Sequence, residues 1–369
     1  MQITEITVFS YNANYANGIY SMSHGRTTTG QQSIVVRVRT DSNIEGWAET
    51  APLGSDYLPS SFTGELAALK ELGPHILGLD PRSPTAVDTV MDRVMMAGMA
   101  AKAVLDMACW DILGKAVGLP TSALLGGTLG ADLPAFSVIG VGEPAIGVQK
   151  AKAELDKGLQ AMQLKVGDDP ITDARRVRAI RETLPDTVEV WADANGGWNL
   201  GQALTFARVL GQDIAVALEQ PCRLLSDCAE VGRRTGLPIV LDESIVTMAD
   251  LVAAHAAGIT GVNIKPSRVG GLTKARTLRD AAISLDMMVT ADDTWGCALL
   301  TAQNIQLAAS TPPDRLRAVD LFAEWTSPCI ADIPRMQADG RVRHNGLPGN
   351  GLGAIDLSYL GKPLFQITA

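Results

Sequence analysis

From about residue 135 onward, eight short apolar runs follow one another: FSVIGVG, AMQLKVG, VEVWADAN, IAVALEQP, LPIVLDES, GVNIKPS, MMVTADD and LRAVDLF. Helical patterns such as DARRVRAIRETL, GQALTFARVL and TKARTLRDAAISL fall between them. A strand that is apolar along most of its length is covered on both faces, and strand–helix–strand alternation achieves that in a parallel sheet. Eight such units predict an α/β fold closed as a (β/α)8 barrel over residues 126–330.

What ends each run is more specific. The second ends at Lys165, the third at Asp193, the fourth at Glu219, the fifth at Asp242, the sixth at Lys265 and the seventh at Asp292 and Asp293. The intervals of 28, 26, 23, 23 and 27 residues are each one strand–helix unit. Every one of these charges therefore occupies the carboxyl end of its strand, the face where barrel enzymes hold their chemistry. Three acids on adjacent strands, without His or Cys, suit a hard divalent cation, Mg2+ first, with Mn2+ able to substitute.

Lys165 and Lys265 sit on strands two and six, diametrically opposed in a ring of eight. A lysine is costly to bury unless its charge is used. Two amines on opposite sides of a metal-bound carboxylate form an arrangement for abstracting a proton from carbon, with one lysine as base and the other as acid. A free lysine titrates near 10.4, so the base must be shifted down by neighbouring positive charge or desolvation.

The N-terminal third reads differently. ITEITVFS, QSIVVRVRT and EGWAET alternate like an antiparallel sheet, and helices are expected near 62–77, 83–97 and 99–117, the last with Ala103, Leu105, Met107, Ala108 and Ile112 along one face. Residues 11–30, rich in Asn, Ser, Thr and Gly, are too long for a hairpin loop and are expected to be disordered or a lid.

A net charge of -9 argues against nucleic acid and anionic membranes as partners. Five cysteines without a CxxC pair suit a reducing compartment, and the absence of a signal-like N-terminus or a long apolar run leads us to expect a soluble, cytoplasmic protein. GVGEPA, 140–145, is a weak match to a dinucleotide-binding turn; Pro144 sits in it and no acid ends the next strand. There is no GxSxG, and His24, His75, His255 and His344 miss the strand ends, so a serine–histidine hydrolase is unsupported.

Several ordered motifs carry a family resemblance: AAKAVLDMACWDILGKAVGLPTSALLGG at 100–127, then ADANGGW, LEQP, LDES, IKPSRVGG and the closing GLPGNGLGAID. With them the chain resembles the enolase superfamily, in its muconate-lactonizing and mandelate-racemase-like branch, over essentially its whole length. The resemblance implies an α+β capping domain from residues 1–125, completed by the tail at 331–369, whose lid closes over the barrel mouth. It implies Asp193, Glu219 and Asp242 as metal ligands, Lys165 and Lys265 as acid and base, and Asn195 and Glu243 as supporting polar groups. Relatives also suggest a homo-oligomer. The branch usually carries Lys-x-Lys on the second strand; here the first position is the neutral Gln163.

Within the branch, TADDTWG at 290–296 and ETAPLGSDYLPS at 49–60 resemble cis-3-hydroxy-L-proline dehydratases and hydroxyproline betaine epimerases. An amino-acid carboxylate brings a cation that Asp292 or Asp293 could pair with and Trp295 could face. Tyr57 and the lid residues Ile19, Tyr20 and Met22 are expected to wall the pocket.

Overall fold

The N-terminal third builds a sheet whose two faces have different neighbours. The computed structural model describes residues 1–368, apart from the side chain of His24. Strands Ile3–Tyr15, Gly30–Thr40 and Glu45–Thr50 pair antiparallel, and the tail adds Thr326–Ser327 and Phe365–Thr368 to the first of them. Alternation sends Ile6, Val8, Ile34, Val36, Val38 and Ala48 to one face, against helices Phe62–Ile76 and Met99–Val117. Phe9, Tyr11, Ala13, Val35 and Trp47 point the other way and share a core with Trp295, Ala298 and Leu299 of the barrel. This sheet is therefore the layer that joins the two halves.

Two expectations are corrected here. Helix Met99–Val117 is buried on nearly every side rather than along one face, because it lies between the capping sheet and the barrel helices. Its buried acids are satisfied: Asp111 accepts the Trp47 amide at 2.9 Å and Lys115 Nζ at 2.7 Å, and Asp106 accepts the Thr273 amide at 3.0 Å. The segment 11–30 begins as regular strand up to Tyr15, so the lid is confined to residues 16–29, with a small hairpin of Tyr20–Ser21 and Thr27–Thr28. The strand continues because Tyr11 and Ala13 have an apolar surface to bury against.

The barrel strands are Ser137–Ile139, Ala161–Lys165, Glu189–Asp193, Ala217–Glu219, Ile239–Leu241, Gly261–Ile264, Met288–Ala291 and Leu316–Val319, here numbered one to eight. They pair in parallel in sequence order, and a bridge between Ala135 and Val319 closes the ring. Lys165 lies opposite Asp193, and Asp193 opposite Glu219, so strands two to four deliver their last residues at one level. The tail then pairs Arg341–Arg343 with Asp132–Pro134 before returning to the capping sheet; Ala369 lies outside the described residues. Among the described residues no helix is long and apolar enough to cross a membrane.

Candidate active site

Asp193, Glu219 and Asp242 stand side by side at the ends of strands three, four and five, all buried. Glu219 is held from below: both its oxygens accept from Gln163 Nε2 at 3.1 Å, and Oε1 accepts from Asn263 Nδ2 at 2.8 Å. Asp193 accepts the Asn195 amide at 2.8 Å, Asn195 Nδ2 at 2.9 Å and Lys165 Nζ at 2.5 Å. Asp242 accepts Arg268 Nη1 at 2.6 Å, Lys265 Nζ at 2.9 Å and the Tyr57 hydroxyl at 3.2 Å.

The expected convergence on a common centre is thus only partly present. Among the described residues no three His, Cys, Asp or Glu side chains already form a metal cage. The outer two carboxylates instead pair with lysine and arginine. Glu219, between them, lacks such a partner; burial, then the charges of Asp193 and Asp242, push its carboxyl well above the usual range. Glu243 is raised to about 7 by burial and the same two neighbours.

The donor set nevertheless fits a hard cation. It is all oxygen, it carries more negative charge than its neighbours neutralise, and two oxygens in it, Asn195 Oδ1 and Glu243 Oε2, are buried without a hydrogen-bond partner among the described residues. Asn195 reaches this position with φ +45°, donating to Glu243 at 3.1 Å as well as to Asp193. Gly167, just beyond Lys165, shows how tight the mouth is: at φ +113° a Cβ would sit 2.5 Å from the Ala194 carbonyl and 2.7 Å from Ser23 of the lid.

Lys165 and Lys265 rise from the opposed strands two and six and border the same cavity. Each is almost wholly buried. Burial works against their charge, but Asp193, Tyr20 and Glu219 hold Lys165 above the ordinary lysine range, and Asp242 with Asp292 does the same for Lys265. The downward shift required of a base is therefore not supplied by the protein's own groups. Gln163 does not supply it either, because its amide is committed to Glu219. The cavity measures about 30 Å3, room for two or three waters at roughly 10–15 Å3 each.

Opposite the acids, strands seven and eight, the lid and the tail form the remaining wall. Asp292 receives Lys265 Nζ at 3.0 Å, whereas both oxygens of Asp293 are taken by backbone amides, from Ser267 at 3.1 Å and Thr294 at 2.7 Å. Asp293 lines the cavity while it ties its own loop to the one after strand six. Trp295 lines the cavity, edge-on to Tyr20 at 5.3 Å and to Trp325 at 5.0 Å, with its indole N–H on the Ala13 carbonyl at 2.9 Å. Tyr20, Met22 and Tyr57 border the cavity as expected; Ile19 does not, because it precedes the hairpin strand and is 64% exposed.

Several site residues escaped the sequence reading. Asp320 directly follows strand eight and accepts the Trp325 indole N–H at 3.1 Å; burial, then the Asp292 charge, raise its carboxyl well above the usual range. Arg268, inside IKPSRVGG, anchors Asp242 while donating to the Ile245 and Asn263 carbonyls at 2.9 Å. Glu49 of the capping sheet caps the helix after Trp295, accepting the Cys297 and Leu300 amides at 3.1 and 3.2 Å together with the Tyr11 and Ser33 hydroxyls.

Comparison with known proteins agrees with this geometry. Residues 148–355 match the family described as enolase C-terminal domain-like, and residues 4–126 match the mandelate racemase / muconate lactonizing enzyme N-terminal domain. A cis-3-hydroxy-L-proline dehydratase of Roseibium aggregatum is 38% identical over 99% of both chains. An N-succinyl-L-Arg/Lys racemase of Bacillus cereus is 30% identical over 76% of this chain and 77% of its own. A crystal structure of an enolase superfamily member from Roseovarius nubinhibens, complexed with magnesium, superposes with a TM-score of 0.93 at 35% identity over all of both chains. With a barrel that carries lysines on strands two and six, acids on three to five, and an antiparallel cap folded over them, this chain belongs to the enolase superfamily of enzymes, in its mandelate racemase and muconate lactonizing branch.

Proposed function

We propose that this enzyme removes the α-proton of a proline-derived carboxylate and, with cis-3-hydroxy-L-proline, eliminates water to give Δ1-pyrroline-2-carboxylate. The observation that carries the reading is the pair of buried amines, Lys165 and Lys265, which border one cavity from opposed strands beside three adjacent carboxylates. The full-length similarity to a dehydratase of that substrate supports the choice of ring.

Asp193, Glu219 and Asp242 would hold a Mg2+ ion, with Asn195 and Glu243 orienting them. When bound, the ion would offset the negative charge that builds on the substrate carboxylate as the proton leaves. Ion pairing to Lys165 or Lys265 and coordination are alternatives for Asp193 and Asp242, so the residues that keep the amines charged are also the ligand set. In cis-3-hydroxy-L-proline the hydroxyl lies on the ring face opposite the α-hydrogen. One lysine, as free amine, takes the proton from its side; the other, as ammonium, protonates the departing hydroxyl from the far side. Asp292 supplies the negative charge for the ring ammonium, and Tyr20, Trp295 and Trp325 its aromatic surround.

A second reading has its own support: two opposed amines acting on a ring without a 3-hydroxyl would invert the α-carbon, and a racemase is among the relatives. Incubating Mg2+-loaded enzyme in deuterated water with cis-3-hydroxy-L-proline and with proline betaine separates the two. Release of pyrroline carboxylate from the first supports dehydration. No water loss there, with α-deuterium uptake into the betaine, overturns it in favour of epimerisation.

A further inference from the structure

The ring of strands sets the parts of the site at right angles to one another. The three acids centre on Glu219 of strand four, and the lysines stand at the ends of strands two and six. In a ring of eight the strand opposite four is strand eight, and the residue directly beyond its end is Asp320. This side chain is 5% exposed and lines the catalytic cavity. A substrate carboxylate held at strands three to five, with its α-carbon between the lysines, sends its remaining substituents toward strand eight.

Two acids meet those substituents, and their oxygens are differently engaged. Asp292 is committed on both: Oδ1 accepts the Asp293 amide at 2.7 Å and Oδ2 pairs with Lys265 Nζ at 3.0 Å. Asp320 Oδ1 accepts the Trp325 indole N–H at 3.1 Å, and among the described residues no N–H and no cation reaches its Oδ2. Lys265 is already shared between Asp242 and Asp292. Burial, then the Asp292 charge, push the Asp320 carboxyl up, as befits a buried acid without a cation of its own.

We propose that Asp320 selects the nitrogen of the substrate: its second oxygen accepts an N–H from a secondary ring ammonium, so the site takes proline-type carboxylates that carry an N–H in preference to quaternary betaines. The inference rests on the α-proton abstraction proposed above and adds the residue that sorts its substrates. A quaternary nitrogen keeps its charge, and the rings of Tyr20, Trp295 and Trp325 attract it as they attract a secondary ammonium. What it lacks is a proton to donate. A hydrogen bond from an ammonium to a carboxylate is among the strong ones, and a buried acceptor left unmet carries a cost of its own. The aromatic surround thus recognises positive charge, and Asp320, fixed beside it by the Trp325 indole, recognises the N–H.

The test compares cis-3-hydroxy-L-proline with its N-methyl and N,N-dimethyl derivatives on the full-length, Mg2+-loaded enzyme in deuterated water, reading turnover as water loss or α-deuterium uptake. Wild-type kcat/KM should fall about 10–100-fold from the unmethylated to the dimethylated ring, with the single methyl, which leaves one N–H, costing less. Asp320→Asn keeps an oxygen for the Trp325 indole and removes the charged acceptor. It should raise KM for the unmethylated ring about tenfold or more, change kcat less, and erase most of the preference among the derivatives. A wild-type enzyme that takes the dimethylated ring as readily as the unmethylated one overturns the inference while proton abstraction stands, and this comparison needs no variant. An Asp320→Asn enzyme that loses only kcat and keeps the preference also overturns it, since that is the mark of a structural role. A wild-type enzyme that neither dehydrates nor deuterates any of these rings overturns the underlying reading, and the inference with it.

Discussion

Between barrel strands two and six the two lysines and the three acids at the mouth come from one repeated position, the last residue of a strand or the first beyond it. The wall made by strands seven and eight is completed instead by Tyr20 from the lid, by Trp325 from the tail, and by hydrogen bonds to the capping sheet from Trp295 and Thr294, the latter 2.9 Å from the Ala51 carbonyl. The first arc is rigid because the barrel ladder sets it. The second depends on how three separate segments pack. A fold that serves many reactions keeps its shared chemistry on the first kind of wall and sorts ligands on the second.

That division can be broken most directly at the lysines. Lys165→Ala and Lys265→Ala should each lower kcat by about 10²–10⁴-fold while Mg2+ binding, followed by calorimetry, survives; a variant with near-normal turnover would remove that lysine from the chemistry. Next in size, Gln163→Leu strips both hydrogen bonds from Glu219 and should weaken Mg2+ binding by about 10–100-fold, with a smaller change in KM at saturating metal. On the opposite wall, Trp325→Ala should raise KM about tenfold, the equivalent of losing about 1–2 kcal/mol of aromatic contact with a cation, and leave metal affinity unchanged. If metal affinity fell as well, the two walls would not be independent. The smallest effect is expected from Glu49→Gln, which takes a buried charge from the amides of Cys297 and Leu300. It should lower stability by about 1–2 kcal/mol, seen as a lower urea midpoint, and raise KM more than it lowers kcat.

The same contrast explains what could be read without coordinates. Lys165, Asp193, Glu219, Asp242 and Lys265 were legible because a strand end recurs at a regular interval and a charge there interrupts an apolar run. Asp320 obeys the same rule, yet it is followed by Leu321 and Phe322 and then a short turn rather than an amphipathic helix, so no break in texture marks it. Trp325 and Glu49 lie outside any repeat, and only the docking of sheet on barrel brings them to the site. The two lysines were expected to need lowering, and the groups that instead hold them charged are the neighbouring acids, a balance that depends on side-chain rotamers rather than on position in the chain.

One strand, Ile3–Tyr15, joins segments more than 300 residues apart in the sequence. Near its start it pairs with Phe365–Thr368, near its end with Thr326–Ser327, and its Ala13 carbonyl receives the Trp295 indole. Because synthesis runs from the amino end, the strand Ile3–Tyr15 waits for partners that are made only after barrel strand eight. The wall that sorts ligands is consequently completed once the barrel beneath it already has all eight of its strands.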